Sequence, residues 1–327
     1  ESLREALAAA YQNNPRLDAE RARLRATDEE VPRAKSGYRP QVQGAAEISR
    51  NTIETSPRTT SAGSTTPKGL EITARQSVFN GFQTTNAVAE AEATVRVGRE
   101  TLRFVESQTL LEAANAYMNV VRDQAVVRLR DRNVEVLTRE LEAAETRRAA
   151  REVTKTDVAQ ARARRARAVS AADTAKADLK VSRAQFERII GHPAGRVFEP
   201  PLRNKHLPRS LADAIAIAEH ESPNVGSALY REQAARHAVD KVWGELLPQV
   251  EVEASYARTD EPSSVLDRSS SASVTGRITV PLYEGGEVHA RVRQAKHTHV
   301  SRLQEIEQAR SETQANVTAA WSRLQAA

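Results

Sequence analysis

A shift of 208 residues lays this chain on itself. It carries Ser2–Leu3 onto Ser210–Leu211, Ala6 onto Ala214, Pro15 onto Pro223, Val31 onto Val239 and Pro40–Val42 onto Pro248–Val250. Past the next polar loop the shift becomes 204, so that Phe79 meets Tyr283, Gly81 meets Gly285, Val88 meets Val292, Ala91 meets Ala295 and Ala116–Tyr117 meets Ala320–Trp321. A change of loop length costs little free energy, which is why the shift changes there. The chain is a tandem duplication, and whatever one copy builds must be built twice. The first repeat covers 1–208 and the second 209–327. The second is C-terminally incomplete: the counterpart of Gln124–Ile190, roughly 65 to 70 residues, has no match in it.

Each repeat opens with a short helix punctuated by a proline, in "NNP" at Asn13–Pro15 and "ESP" at Glu221–Pro223. In the first copy the helical region covers residues 2–36, and Pro32 inside it predicts a kink or an early stop. In the second copy it reaches about Val242.

Strict alternation follows. Val42, Gly44, Ala46 and Ile48 share one face of a first strand, and Leu70, Ile72 and Ala74 share one opposite Glu71, Thr73 and Arg75. In the second copy Val250, Val252, Ala254 and Tyr256 oppose Gln249, Glu251, Glu253 and Ser255. Val274, Gly276, Ile278, Val280 and Leu282 oppose Thr275, Arg277 and Thr279. This period of two predicts strands at about 40–50, 69–80, 248–258 and 272–283. The segments between them are rich in serine and threonine and read as loops.

Two architectures fit such strands. One is a soluble sheet with a single face on a core. The other is a transmembrane barrel, apolar toward lipid and polar toward water. No separate apolar segment exists to cover four strands, and charged side chains occupy their opposite faces. Four strands cannot close a barrel alone, so the second architecture requires several copies of the chain.

Both strand pairs run into a helix through glycine, at Gly81 in "VFNGF" and at Gly285 and Gly286 in "LYEGGE". From about Thr84 to Arg147 helical periodicity continues without proline, with Val134, Leu137, Leu141 and Ala144 spaced three and four apart. At 1.5 Å per residue such a helix spans about 95 Å, a length that suits a coiled coil or a tube. A tip is expected at 148–157, a return helix at 157–190 closed by the glycine of "GHPAG", and a last helix from about 287. Aromatic residues make up 4% of the chain and charged residues 28%. So few large side chains suit long helices packed through small residues rather than thick globular cores.

Several function classes drop out. Cysteine is absent, which removes disulfides and thiol chemistry without choosing a compartment. No stretch of 18 apolar residues predicts a transmembrane helix, and Glu1 opens on a helical pattern with no signal peptide visible. The net charge of +5 permits acidic partners and demands none. Arg162, Arg164, Arg165 and Arg167 spread around their helix without interleaved aromatics, so they read as a solvated face and no nucleic-acid partner is expected. His289, His297 and His299 lack the four-residue spacing of a helical metal site. No phosphate loop, nucleophile elbow or zinc-protease motif is present, so no cofactor, metal or catalytic residue is expected and the chain does not read as an enzyme.

The segments "SLREAL", "SGYRPQV", "SVFNGF", "AYMNVVRDQA", "VTKTDVAQA" and "FERIIGHP" in the first copy, with "LLPQV" and "VPLYEGGEVHARVRQAK" in the second, resemble the TolC family of outer-membrane efflux and type I secretion channels. The resemblance spans nearly the whole chain in the family's order. It implies a mixed, mostly α fold: a tandem-repeat protomer whose long antiparallel coiled-coil helices form an α-barrel. Four strands per chain join a twelve-stranded transmembrane β-barrel in a homotrimer. It further implies residence in the outer membrane of a Gram-negative bacterium, in contact with outer-membrane lipid and extending into the periplasm. The partners it implies are a periplasmic adaptor and an inner-membrane transporter. The channel would be a passive conduit that opens like an iris at its helix tips. Gly81, Gly285 and Gly286 would be the corners between barrel and tube. Glu71, Arg75, Glu251, Glu253 and Arg277 would face the barrel lumen.

The adaptor-docking tip would be Ala150, Arg151, Glu152, Val153, Thr154, Lys155, Thr156 and Asp157. There the family's usual glycine is replaced by Arg151. An alternative reading, a periplasmic coiled-coil or adaptor protein without a membrane barrel, leaves the duplicated strand pair without a purpose.

Overall fold

The computed structural model describes residues 1–53, 63–201, 207–263 and 266–326. Its helices begin where the sequence supplies caps. Helix α1 (Leu3–Asn13) starts at a capping box, in which the Ser2 hydroxyl accepts from the Glu5 amide while the Glu5 carboxylate accepts from the Ser2 amide. Helices α2 (Pro15–Asp28) and α7 (Pro223–Trp243) each begin on the proline that the repeat pairs. A missing amide proton costs nothing at a first helical position. The break expected at Pro32 lies three residues earlier. Helix α2 stops at Asp28 and α3 (Glu30–Lys35) follows, since Pro32 has no amide to offer the Asp28 carbonyl.

Chain compactness does not follow the repeat. One unit comprises 1–23 and 102–209, and the other 24–101 and 210–327. In the first unit, α4 (Gln83–Ala149) and α5 (Lys155–Ile190) run antiparallel. Glu145 pairs with Arg162 at 3.0 Å and Asp131 with Lys176 at 2.9 Å. Asp123 accepts from the Ser182 hydroxyl, and the Tyr117 and Phe186 rings lie 6.4 Å apart. Among the buried residues of α5, Ala168, Ala172, Ala175, Ser182, Phe186 and Ile189 fall at steps of three, four and seven, the repeat of a coiled-coil seam, with Val158 and Ile190 buried at the two ends of the helix. Ala6 and Ala10 of α1 join Ala113, Ala116, Tyr117, Val120, Phe186, Ile189 and Ile190 in one core. Alanines of α1 and α4 let those helices approach closely around the two large rings of Tyr117 and Phe186. Helix α5 ends on Gly191, whose φ of +96° favours glycine.

In the second unit, α7 and α6 (Leu211–Glu221) pack on α8 (Glu287–Ala326), with Ala214, Val225, Ala228, Val288, Val292 and Ile306 buried. Polar pairs tie its surface: the ion pairs Lys241 to Glu90 at 2.5 Å and Arg291 to Glu245 at 2.5 Å, and the contact of His299 Nε2 with Glu232 Oε1 at 2.7 Å. The histidine that the sequence grouped with His289 and His297 is thus partnered by a glutamate.

This unit also carries a four-stranded antiparallel sheet in the order β1 (Gln41–Ile48), β4 (Lys68–Asn80), β5 (Gln249–Ser263), β6 (Leu266–Thr279). A separate ribbon pairs β2 (Asn51–Ile53) with β3 (Gly63–Thr65). Strands of both repeats therefore share one sheet. Two sequence expectations need correction. The segment read as a loop after about 258 is mostly strand, because β5 and β6 stay paired out to Ser263 and Leu266. The last strand, expected at 272–283, ends at Thr279. Pro281 has no amide to extend a ladder, so Val280 and Leu282 lie outside the strand face assigned to them. The loop read between the first pair of strands lies partly outside the described residues.

Candidate functional site

The register sorts every strand residue onto one of two faces. Across the sheet, Gln41 lies opposite Arg75, Arg75 opposite Glu253, and Glu253 opposite Thr275. The neighbouring row sets Ser77 opposite Glu251 and Glu251 opposite Arg277, and Glu71 lies opposite Ala45 and Ala257. Directly opposed residues share a face. Glu71, Arg75, Glu251, Glu253 and Arg277 therefore all stand on one side of the sheet. Arg75 Nε donates to Glu253 Oε2 at 2.8 Å, and Ser255 and Ser273 exchange a hydrogen bond at 2.9 Å.

The other face is mainly apolar: Val42, Gly44, Ala46 and Ile48, then Ile72 and Leu70, then Val252, Ala254 and Tyr256, then Val274 and Ile278, with Arg258 and the row Lys68, Asp260 and Arg268 at its end away from the corner. It is also bare. Val42 is 67% exposed, Val274 78% and Ile278 71%. A soluble sheet would turn this side to a core, and among the described residues nothing covers it. Chains that fold in water rarely leave so contiguous an apolar surface open. Among the described residues nothing pairs with the outer edges of strands β1 and β6, and such edges invite another chain. Among the described residues no helix is long and apolar enough to cross a membrane.

The two glycine corners differ. After β4, Gly81 and Phe82 both take left-handed conformations, with φ of +65° and +63°. Helix α4 then begins at Gln83. Asn80 Nδ2 donates to Thr84 Oγ1 at 2.6 Å, and the Phe79 and Phe82 rings meet edge to face at 5.2 Å. A Cβ on Gly81 would lie 2.0 Å from the Gly244 carbonyl oxygen, and one on Gly244 would lie 2.2 Å from that of Gly81. The two backbones touch, and only glycine fits either position. In the second copy Gly285 and Gly286 have φ of +64° and +85° with open space around them. There the glycines serve the turn alone. Leu282 and Tyr283, beside them, are almost wholly exposed. Gly244 escaped the sequence reading because its partner is remote in the chain and no motif marks a close approach.

At the hairpin tip, α4 closes with paired hydrogen bonds: Arg151 N–H to Arg148 C=O and Glu152 N–H to Arg147 C=O, each 2.9 Å. This is the Schellman arrangement, and its left-handed position, with φ of +67°, is held by Arg151. Glycine normally fills that position, which gives a physical reason for the usual tip glycine. Thr154 then caps α5. Its hydroxyl donates to Asp157 Oδ2 at 2.7 Å, and its amide donates to the same oxygen at 2.8 Å. The Thr154 hydroxyl and amide hold the Asp157 carboxyl below its ordinary value. Ala150, Arg151, Glu152, Thr154, Lys155, Thr156 and Asp157 are exposed, and Val153 is half-buried. Of the neighbouring arginines, Arg162 and Arg165 reach back to Glu145 and Thr138 of α4.

An open-edged sheet with one lipid-compatible face and one charged face, joined through glycine corners to long helices, defines a membrane-channel protomer. The chain matches the sequence model of the outer membrane efflux protein family over residues 6–192 and 214–327. It belongs to that family and is an outer-membrane efflux channel protein of the kind found in Gram-negative bacteria. It is 36% identical to the outer membrane efflux protein BepC of Brucella suis biovar 1, an alignment covering 100% of this chain and 70% of that protein. It is 27% identical to the alkaline protease secretion protein AprF of Pseudomonas aeruginosa over 44% of this chain and 31% of the relative. Among solved structures, CusC superposes with a TM-score of 0.84 at 14% identity, covering 99% of this chain and 76% of that one. The outer membrane protein VceC of Vibrio cholerae gives 0.83 at 16% identity, covering 99% and 79%.

Proposed function

We propose that three copies of the chain close a twelve-stranded barrel, apolar face to lipid and charged face to water, and that their helices form the periplasmic duct of a passive export conduit. The observation that carries this reading is the bare apolar face on a sheet with two open edges. The edge strands β1 and β6 are first and fourth in an antiparallel sheet, so they run in opposite directions. Strand β6 of one copy can therefore meet β1 of the next in the same antiparallel pattern, and the ring leaves no edge. Two copies would give eight strands, whose interior side chains fill. Three copies leave room for water around the glutamates and arginines of the polar face.

Residues Ala150–Asp157 form the adaptor-docking tip in this reading, and an inner-membrane transporter supplies the driving energy. Loosening of the helix tips from their neighbours dilates the duct, and no chemical step is catalysed. The whole-chain likeness to an efflux protein favours export of small solutes. The shorter likeness to a protease secretion protein makes protein export the second reading.

The chain contains no cysteine, so single cysteines introduced along β1 and β6 report on the closing seam directly. Pairs drawn from Gln41–Ile48 and Leu266–Thr279 should give oxidised species of two and three chains on non-reducing gels. Only monomer across the whole scan would refute the trimeric barrel.

A further inference from the structure

The charged face of the sheet ends, on the corner side, in a cavity of about 410 Å³ whose lining includes Arg39, Gln41, Arg75, Gln249, Glu251 and Arg277. Three guanidinium groups face one carboxylate there. Arg75 is partly neutralised by Glu253 at 2.8 Å. Arg39 and Arg277 form no ion pair with any described residue, although Glu251 stands directly opposite Arg277 in the ladder. Farther from the corner, the ionisable residues at paired positions of this face are Glu47 and Glu71. One face thus carries a basic band at its corner end and an acidic band beyond it.

We propose that the basic band is an anion-attracting belt, centred on Arg39 and Arg277, which makes the conduit favour solutes bearing carboxylate or phosphate groups over cations. The inference rests on the reading that this face lines a water-filled bore. Arginine stays charged at every accessible pH, and two guanidinium groups without an ionic partner among the described residues of their own chain leave their donors and their field to whatever enters. A low-dielectric wall around water focuses such fields and raises the local concentration of counter-ions. Nothing in the local packing needs these two charges: no carboxylate or carbonyl of the described residues is tied to either. Each further copy in a ring repeats the pair at the same level of the bore.

The test is reversal potential across planar bilayers containing the full chain, with about 0.01 M and 0.1 M KCl on the two sides, where screening lengths run from about 30 to 10 Å. The double variant Arg39→Gln, Arg277→Gln should lower the chloride-to-potassium permeability ratio about two-fold or more, and Glu251→Gln should raise it. The Arg39→Lys, Arg277→Lys pair should keep the wild-type ratio, and all differences should collapse near 1 M KCl, where screening falls to about 3 Å. If the neutral pair fails to insert, Glu251→Gln decides the matter alone. Normal currents with unchanged reversal potentials would overturn the belt and leave the conduit intact. A wild-type chain that carries no current would overturn the conduit reading itself, and the belt with it.

Discussion

Replacing Gly81 by alanine should damage the first corner far more than the same change at Gly285 damages the second. Both positions have nearly the same backbone, with φ of +65° and +64°. Alanine in the left-handed region costs about 1–2 kcal/mol at either one. At Gly285 that is the whole effect, since no atom lies within 4 Å of the new methyl. At Gly81 the methyl would sit 2.0 Å from the Gly244 carbonyl oxygen and 2.9 Å from its carbon. Backbone atoms cannot swing aside as a side chain does, so the two segments must separate. Overpacking of this kind adds about 1–3 kcal/mol, for a total of about 2–5 kcal/mol.

Gly244→Ala supplies the control. Its φ is an ordinary −59°, so it should show only the contact penalty. Thermal melts in detergent, with hydrogen exchange at Asn80–Thr84, should rank Gly81→Ala as most destabilised and Gly285→Ala among the least. The Gly81→Ala, Gly244→Ala double variant should lose less than the sum of its parts, because one separation relieves both clashes. Equal losses at Gly81 and Gly285 would refute the close backbone approach.

Three other perturbations have definite expected outcomes. Arg151→Gly should strengthen the hairpin tip by about 0.5–1 kcal/mol, relief of a left-handed side chain offset by extra freedom in the unfolded chain. The exchange of the Arg151 and Glu152 amides should slow accordingly, and faster exchange would contradict the strain assigned there. Tyr117→Phe removes a buried hydroxyl that donates to the Phe198 carbonyl at 2.6 Å and accepts from the Phe198 amide at 3.1 Å. Leaving those groups unpaired should cost about 1–3 kcal/mol, read as a lowered midpoint in urea, and an unchanged midpoint would contradict it. The tip cap should also loosen in acid. Because the folded Asp157 carboxyl is held below its ordinary value of 3.8, its stabilisation is present above that value and lost as pH falls through the folded one. Amide exchange at Thr154–Asp157, corrected for intrinsic rates, should rise across that window and lose this dependence in Asp157→Asn.

The repeat, the strand faces and the hairpin were legible because each is a periodic signal over many residues. Alternation placed Glu71, Arg75, Glu251, Glu253 and Arg277 on one side before any register was known. What escaped was set by single residues or by distant ones. Pro281 ends β6 early although the apolar alternation continues through Leu282. The serine-rich run after Arg258 looks like a loop, yet pairing with β5 keeps it extended. The contact between Gly81 and Gly244 joins segments far apart in the chain and leaves no local trace. Arg151 itself carries no mark of its left-handed backbone, since arginine is not a turn former; the only hint was that it stands where the resembled family has glycine. Arg39 precedes its strand, and only the folded corner sets it beside Arg75 and Arg277.

Conductance of the full chain in a planar lipid bilayer is the most direct test of the central claim. The account predicts discrete channel currents that need no nucleotide, carried by an assembly whose native mass is three chains. A monomer that neither inserts nor conducts would contradict it.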